Sequence, residues 1–346
     1  MTRKLNIGWI GSGFVGQVAH LHNYNELSNI NIIALAELRQ NLGKEVAKKY
    51  NINKLYKNHK ELLDNENNLD AIILIVRRHH TAILAKEILN RKINLFTEKP
   101  MAPTYLQAKN LLNIAKKNKL HYVIGNMRRH DQGIIYANKI LNNYMINNEI
   151  GDFISYRSYC YAGGDYCNID GYIKTNEKNQ TENKFPIAPN WVKNNEAKEF
   201  EKFLNFFIHN INIINYYFKN EYKVSKKIVK KNGGTILFDH KSFFGQFDYS
   251  YLESNIWKEG IEFYFTNGFI KLFLPPAFLK NQPAKIIIYN GKKNQYLQPN
   301  FDWTWSFKNQ SKSFVNSIIK NQINICDARN SIKDLKIIEE IWRLRK

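Results

Sequence analysis

The sequence predicts an α/β chain: a doubly wound parallel sheet at the N-terminal end, then an α+β domain with an open, mostly antiparallel sheet. Three observations carry this. Short apolar runs alternate with amphipathic stretches from residue 5 to about residue 125. The first run opens directly into Gly11-Ser12-Gly13-Phe14-Val15-Gly16. After Gly125 the alternation gives way to strand patterns separated by turn signals.

Each element follows from its period and its punctuation. Leu5 to Ile10 is a short apolar strand, and the amphipathic stretch behind the glycines runs as a helix to about Leu27. Asn31 to Ala36 is the second strand, Asn41 to Tyr50 a helix. Asp70 to Val76 is continuously apolar, as a strand buried on both faces requires. Helices over Thr81 to Arg91 and Thr104 to Asn118 flank the strand Asn94 to Thr97, and His121 to Gly125 closes the series. Further on, Gln132 to Asn147 reads as a helix, Asp152 to Tyr161 as a strand, and the polar residues 162–190, with Gly163-Gly164, as a long loop of the kind that is functional or mobile. Glu196 to Lys219 is an apolar helix. Strands follow over Thr235 to Asp239, Phe243 to Tyr251, Ile261 to Phe265, Phe269 to Leu274 and Lys285 to Tyr289, with Asn267-Gly268 as a hairpin signal. Helices over Ser306 to Lys320 and Ser331 to Leu344 end the chain. At 346 residues two domains are expected, 1–125 and 126–346.

Composition removes several classes. With 44% hydrophobic and 14% aromatic residues the chain is expected to fold. No apolar run approaches the roughly 18 residues of a membrane span, and the N-terminal residues lack the pattern of a signal peptide. Cys160, Cys167 and Cys326 have no metal-ligand spacing, so no metal site and a reduced, cytoplasmic setting are expected. The net charge of +21 comes from lysines spread along the chain without a basic block; nucleic acid is therefore not the expected partner, and the field instead favours anionic small molecules.

The glycine motif sits where a strand meets a helix, which gives it meaning. Gly11 permits the turn, Gly13 lets a pyrophosphate approach the backbone, and Gly16 lets the helix pack on the sheet. Glu37 ends the second strand, where an acid takes a ribose 2′-hydroxyl and repels a 2′-phosphate; NAD is expected over NADP, with Arg39 as the residue that opposes this preference. Lys99, in Glu98-Lys99-Pro100, follows the strand Asn94 to Thr97 and so faces the crevice where parallel sheets bind ligands. In the apolar helix, Asn205, His209 and Asn212 share one face at i, i+4 and i+7. Such residues either bond within the fold or line a ligand site, and spacing alone does not decide.

Taken together, these residues resemble the Gfo/Idh/MocA oxidoreductase family. The resemblance covers Gly11 to Gly16, Glu98-Lys99-Pro100, Gly125-Asn126-Met127-Arg128-Arg129, Phe203 to Asn210, Trp257-Lys258-Glu259-Gly260, and the region from Trp305-Ser306-Phe307 to Ile341-Trp342-Arg343. It implies hydride exchange between a nicotinamide cofactor and a carbinol carbon of a sugar, inositol or anionic sugar derivative. Lys99 would polarise the oxygen and His209 would act as acid–base, the two meeting on one substrate oxygen. The implied cofactor-binding residues are Gly11, Gly13, Phe14, Val15, Gly16, Glu37, Arg39, Arg77, His79, Glu98 and Lys99; Asn205, Asn212 and Arg128 are the implied substrate-binding residues. Three positions depart from the family's pattern: Asn205 stands where Asp is common, Arg77-Arg78 replaces Pro-Asn, and Met127 replaces Asn. The arginines suggest a phosphate or carboxylate on the ligand. Alternative outcomes are a retained NAD used in transient oxidation, for epimerisation, elimination or glycoside cleavage, and a non-catalytic NAD-binding regulator. The apolar alternation of Phe243, Phe247, Tyr249 and Tyr251, and of Ile261, Phe263 and Phe265, suggests an exposed sheet face and hence a homo-oligomer, a dimer or tetramer.

Overall fold

The computed structural model describes residues 3–163, 170–178, 185–219 and 221–344. Gly164 and Cys167 lie outside the described residues. The chain divides into two compact units. The first comprises Met1–Asn126, Ile169–Asn205 and Phe307–Leu335; the second comprises Met127–Asn168, Phe206–Ser306 and Lys336–Lys346.

In the first unit, β1 (Leu5–Ile10) leads through a π-helical turn (Gly16–Leu21) into α1 (His22–Asn25) and β2 (Ile30–Ala36). Then come α2 (Gln40–Lys49), β3 (Lys54–Tyr56), α3 (His59–Asn65), β4 (Ala71–Leu74), α4 (Arg78–Asn90), β5 (Asn94–Thr97), α5 (Tyr105–Lys117) and β6 (Tyr122–Ile124). The six strands are parallel and ordered β3-β2-β1-β4-β5-β6, so the order reverses between β1 and β4. Such a switch point opens a crevice at the carboxyl ends of the strands. All four residues of β4 are buried, as its unbroken apolar run predicts. Side-chain caps set two helix starts: Asn58 accepts from the Glu61 amide at 3.0 Å, and Thr104 from the Gln107 amide at 3.2 Å. The short β3 and α3 have no counterpart in the sequence reading.

The domain boundary expected at residue 125 differs from the observed units, and the reason is packing at long range. Phe314, Val315 and Cys326 are buried in the same core as Trp9, Tyr24 and Phe96, with the Phe96 and Phe314 rings 5.6 Å apart. The Cys326 carbonyl also accepts the Ile124 amide at 3.0 Å, extending the β6 edge.

The second unit begins with α6 (Gln132–Asn147), capped by Asp131, and β7 (Phe153–Ala162). Helix α7 (Ala197–Phe218) starts in the first unit and ends in the second. Strands β8 (Lys223–Lys230), β9 (Gly233–Asp239), β10 (Phe244–Tyr251), β11 (Trp257–Phe265), β12 (Gly268–Leu274), β13 (Lys285–Asn290) and β14 (Gln295–Leu297) follow, then α8 (Ser306–Ile319) and α9 (Ala328–Arg343). The sheet order is β14-β13-β12-β11-β7-β10-β9-β8, antiparallel except that β7 and β10 run parallel. The hairpin between β11 and β12 closes at Phe265 opposite Gly268, so Thr266 and Asn267 form the turn and Gly268 already belongs to the strand.

One expectation about this sheet needs correction. Phe247, Tyr249, Ile261, Phe263 and Phe265 are buried rather than exposed, and Phe207 of α7 packs on Phe247 and Tyr249 at 5.8 and 4.7 Å. The alternation therefore marks the helix-covered face. The opposite face carries Phe244, Phe273 and Tyr296, exposed at 54%, 40% and 71%, among Arg157, Glu262 and Lys271. Among the described residues no helix is long and apolar enough to cross a membrane, no group of His, Cys, Asp and Glu could hold a metal ion, and Cys160 and Cys326 are buried thiols.

Candidate active site

The glycine turn follows β1 at the switch point. Gly11 has φ +88°, and a Cβ there would lie 2.2 Å from the Ile75 carbonyl oxygen, so glycine is required. A Cβ on Gly16 would come within 2.9 Å of the Gly11 oxygen. A Cβ on Gly13 would meet only the Arg39 guanidinium, at 3.8 Å, which leaves that backbone open to a ligand. Phe14 lies edge-on to Tyr172 at 5.1 Å, and Val15 packs against the core.

Glu37 stands just past β2 and is 5% exposed. Its Oε2 accepts from both the amide and the hydroxyl of Ser12 at 2.8 Å, and Arg39 closes on both carboxylate oxygens at 2.9 and 3.2 Å. Burial raises the pKa of this carboxyl, but Arg39 and Ser12 outweigh it and hold Glu37 below the usual carboxylate range. An open glycine turn with an ionised acid beside it fits the pyrophosphate and adenosine ribose of a dinucleotide.

Lys99 follows β5, in a cis Lys99–Pro100 peptide. Its Nζ donates to the Asn205 carbonyl at 2.7 Å and to the Asn205 Oδ1 at 3.3 Å. Loss of hydration drives the ammonium pKa down to about 8; Glu98 pulls upward and Arg78 pushes further down. Glu98 turns inward: its Oε1 lies 2.6 Å from His20 Nε2, and its Oε2 accepts the Lys99 amide at 3.0 Å. His20 is fully buried in the π-helical turn, so the segment behind the glycine loop and the Lys99 segment are tied together.

The remaining expected residues divide into two groups. Arg77 is exposed at the start of α4, with His79 beside it; burial and then Arg77 lower the His79 pKa. Arg78 pairs with Glu201 at 2.8 Å. In the second unit, by contrast, Arg128 is 3% exposed and forms an ion pair with Glu259, which is 4% exposed. Asn212 accepts from Arg129 at its Oδ1 (2.8 Å) and at its carbonyl (3.1 Å). The Arg128 and Asn212 side chains are thus committed within the fold. His209 lies one turn beyond Asn205 on α7, partly exposed, in the part of the helix that belongs to the second unit.

Sequence reasoning missed Ser12, Gln17, His20 and Glu201. Gln17 and His20 could have been noticed as the polar residues among the otherwise apolar residues Gly16–Leu21; Ser12 and Glu201 gave no signal.

The parallel sheet, its switch point and the glycine turn together make a Rossmann-type fold. Residues 5–126 match the family GFO_IDH_MocA, described as an oxidoreductase family with an NAD-binding Rossmann fold. The match covers the parallel-sheet part, less than half of the chain, and over those residues the chain is similar to this family. The inositol 2-dehydrogenase of Salmonella typhimurium (strain LT2) is 28% identical over 141 residues, 40% of this chain and 41% of that protein. The myo-inositol 2-dehydrogenase of Thermotoga maritima is 24% identical over 169 residues, 49% of this chain and 50% of that protein. The match therefore spans half or less of the length of these curated relatives. Among solved structures, KijD10, a 3-ketoreductase from Actinomadura kijaniata in complex with NADP and TDP-benzene, superimposes with a TM-score of 0.74 at 13% identity, covering 98% of this chain and 97% of that one. A dehydrogenase (MviM) from Clostridium difficile gives 0.74 at 15% identity, covering 98% and 99%. At such identities the likeness is one of fold.

Proposed function

We propose that this chain is an NAD-dependent oxidoreductase that moves a hydride between the cofactor and a carbinol carbon of a sugar, inositol or anionic sugar derivative. The observation that carries the reading is Lys99: a desolvated ammonium at the carboxyl end of a parallel strand, held by neutral oxygens of Asn205. The glycine turn, with Glu37, Arg39, Arg77 and His79, holds the cofactor, which when bound supplies or accepts the hydride. Lys99 exchanges its Asn205 contacts for the substrate oxygen and polarises it. His209 takes the hydroxyl proton in the oxidative direction, as a general base. Asn205 positions the substrate hydroxyl. The curated inositol dehydrogenases support the polyol class, and Arg77 supports an anionic group on the ligand. The setting is cytoplasmic.

The test is a screen of inositols, sugars and nucleotide sugars for NADH formation. Turnover with one class supports the reading. NAD that co-purifies and is never released as NADH points instead to transient oxidation, and failure to bind any dinucleotide overturns both. We also propose a homo-oligomer formed through the open face of the second sheet, where exposed aromatic residues lie among charges of both signs; a monomer mass by light scattering at micromolar concentration would contradict it.

A further inference from the structure

The segment between β7 and α7 has no readable sequence code, yet residues 170–178 of it have a definite seat in the first unit. Gln17, 2% exposed in the π-helical turn, fixes it. The Gln17 Nε2 donates to the Ser12 carbonyl in the glycine turn at 2.8 Å and to the Ile173 carbonyl at 3.1 Å. The Ile173 amide returns a bond to Gln17 Oε1 at 2.9 Å, so the side-chain amide pairs with Ile173 as a neighbouring strand would. The Ile173 side chain packs against the core of the first unit, Tyr172 rests edge-on against Phe14, and Lys49 Nζ donates to the Gly171 carbonyl at 2.8 Å.

The far end of the segment is anchored differently. The Glu177 Oε1 accepts the Asn41 amide at 3.0 Å, and its Oε2 accepts the Leu42 amide at 2.9 Å. These amides open α2, the helix that follows Glu37 and Arg39. The first-turn amides of a helix, at the positive end of its dipole, attract anions. Here the chain's own carboxylate satisfies them, and the Asn41 amide is the largest of the influences that hold Glu177 below the ordinary range. Arg39 therefore answers to two carboxylates, bonding Glu37 directly and attracting Glu177 through space. A lone arginine there would welcome a phosphate; one shared between two acids does not.

We propose that residues 170–178 form a strap clipped over the glycine turn, and that Glu177 makes this strap selective by filling the anion-accepting amides beside Glu37, against dinucleotides that carry a phosphate on the adenosine ribose. The inference rests on the proposed cofactor and adds what discriminates NAD from NADP and what must open for exchange. Because Gln17 grips both the turn and the strap, release of the dinucleotide requires the strap to lift.

The test titrates NADH and NADPH into the full chain by fluorescence and follows NADH displacement by stopped flow. Glu177→Gln, at a solvent-facing position, is expected to tighten NADPH by about two- to fivefold while NADH changes less than about twofold; an unchanged NADPH-to-NADH ratio overturns the selective role. Gln17→Ala is expected to speed NADH release by about threefold or more and to open Lys174 to trypsin. Tyr172→Ala gives the same reading if the buried substitution fails to fold. Unaltered release and cleavage in Tyr172→Ala overturn the strap. If the unmodified chain binds neither dinucleotide, the proposed function fails; trypsin resistance at Lys174 that Tyr172→Ala abolishes then still upholds the strap, and its persistence overturns it.

Discussion

Two cations, one in each unit, are drawn out of water and meet different company. Arg128 is buried beside Glu259, a full countercharge, and Asn210 adds a hydrogen bond to the same carboxylate at 3.4 Å. Lys99 meets only neutral acceptors, the carbonyl and amide oxygens of Asn205, while the nearby Glu98 is turned toward His20. Burial pushes the Glu259 carboxyl up, but Arg128 pulls against it, so the pair is bound to the fold. Desolvation wins at Lys99 as well, and with no carboxylate among the described residues bonded to it the ammonium falls to about 8. A paired cation contributes to structure; a cation held by neutral oxygens can change partners when a ligand oxygen arrives, or give up its proton.

The largest expected effects test this contrast by exchange. Lys99→Met should lower kcat by about 10²–10⁴-fold, the usual worth of a group acting on a reacting oxygen, with NADH binding retained. His209→Ala should cost a similar factor. Glu259→Gln should do the reverse: it leaves Arg128 buried without its countercharge and should cost roughly 3–5 kcal/mol of stability, read as a lower urea midpoint. A Lys99 variant that unfolds, or a Glu259 variant that folds normally and merely slows turnover, would break the comparison.

The next effect is pH-dependent. The folded Lys99 pKa, about 8, lies below the ordinary value of 10.5. Between those pH values the unfolded chain holds a proton that the native chain lacks, so this residue makes stability rise with pH across that window. Lys99→Met should flatten the rise in chemical-denaturation curves taken from pH 7 to 10. If turnover needs the ammonium, kcat/KM should also fall as pH rises through about 8. The smallest effect is expected for Asn205→Ala. The stronger Lys99 contact is to the backbone carbonyl and survives, so losing the side chain should raise KM by about two- to tenfold with little change in kcat.

Much of the parallel half was legible because its signals are local. A strand, a glycine turn and a helix occur within twenty residues, and Glu37 and Lys99 each follow closely on an apolar strand. What failed was long-range or weakly patterned. Nothing in Arg128 names Glu259 as its partner, so the buried ion pair was not legible. The parallel pairing of β7 with β10 is hidden because a period of two fixes faces, not neighbours. The lysine-rich β8, an edge strand with no buried residue, shows no apolar face to read. The strap is a polar segment whose order comes from Gln17 and the α2 amides, far away in sequence.

The claim that Lys99 is desolvated and poised, rather than an ordinary solvated lysine, has a direct test that needs no substrate. Competitive acetylation of the full chain across pH 6 to 11, with the Lys99 peptide quantified by mass spectrometry, reports when that amine loses its proton. A half-reaction point near pH 8 is predicted. A midpoint at the ordinary lysine value of 10.5 would contradict the account.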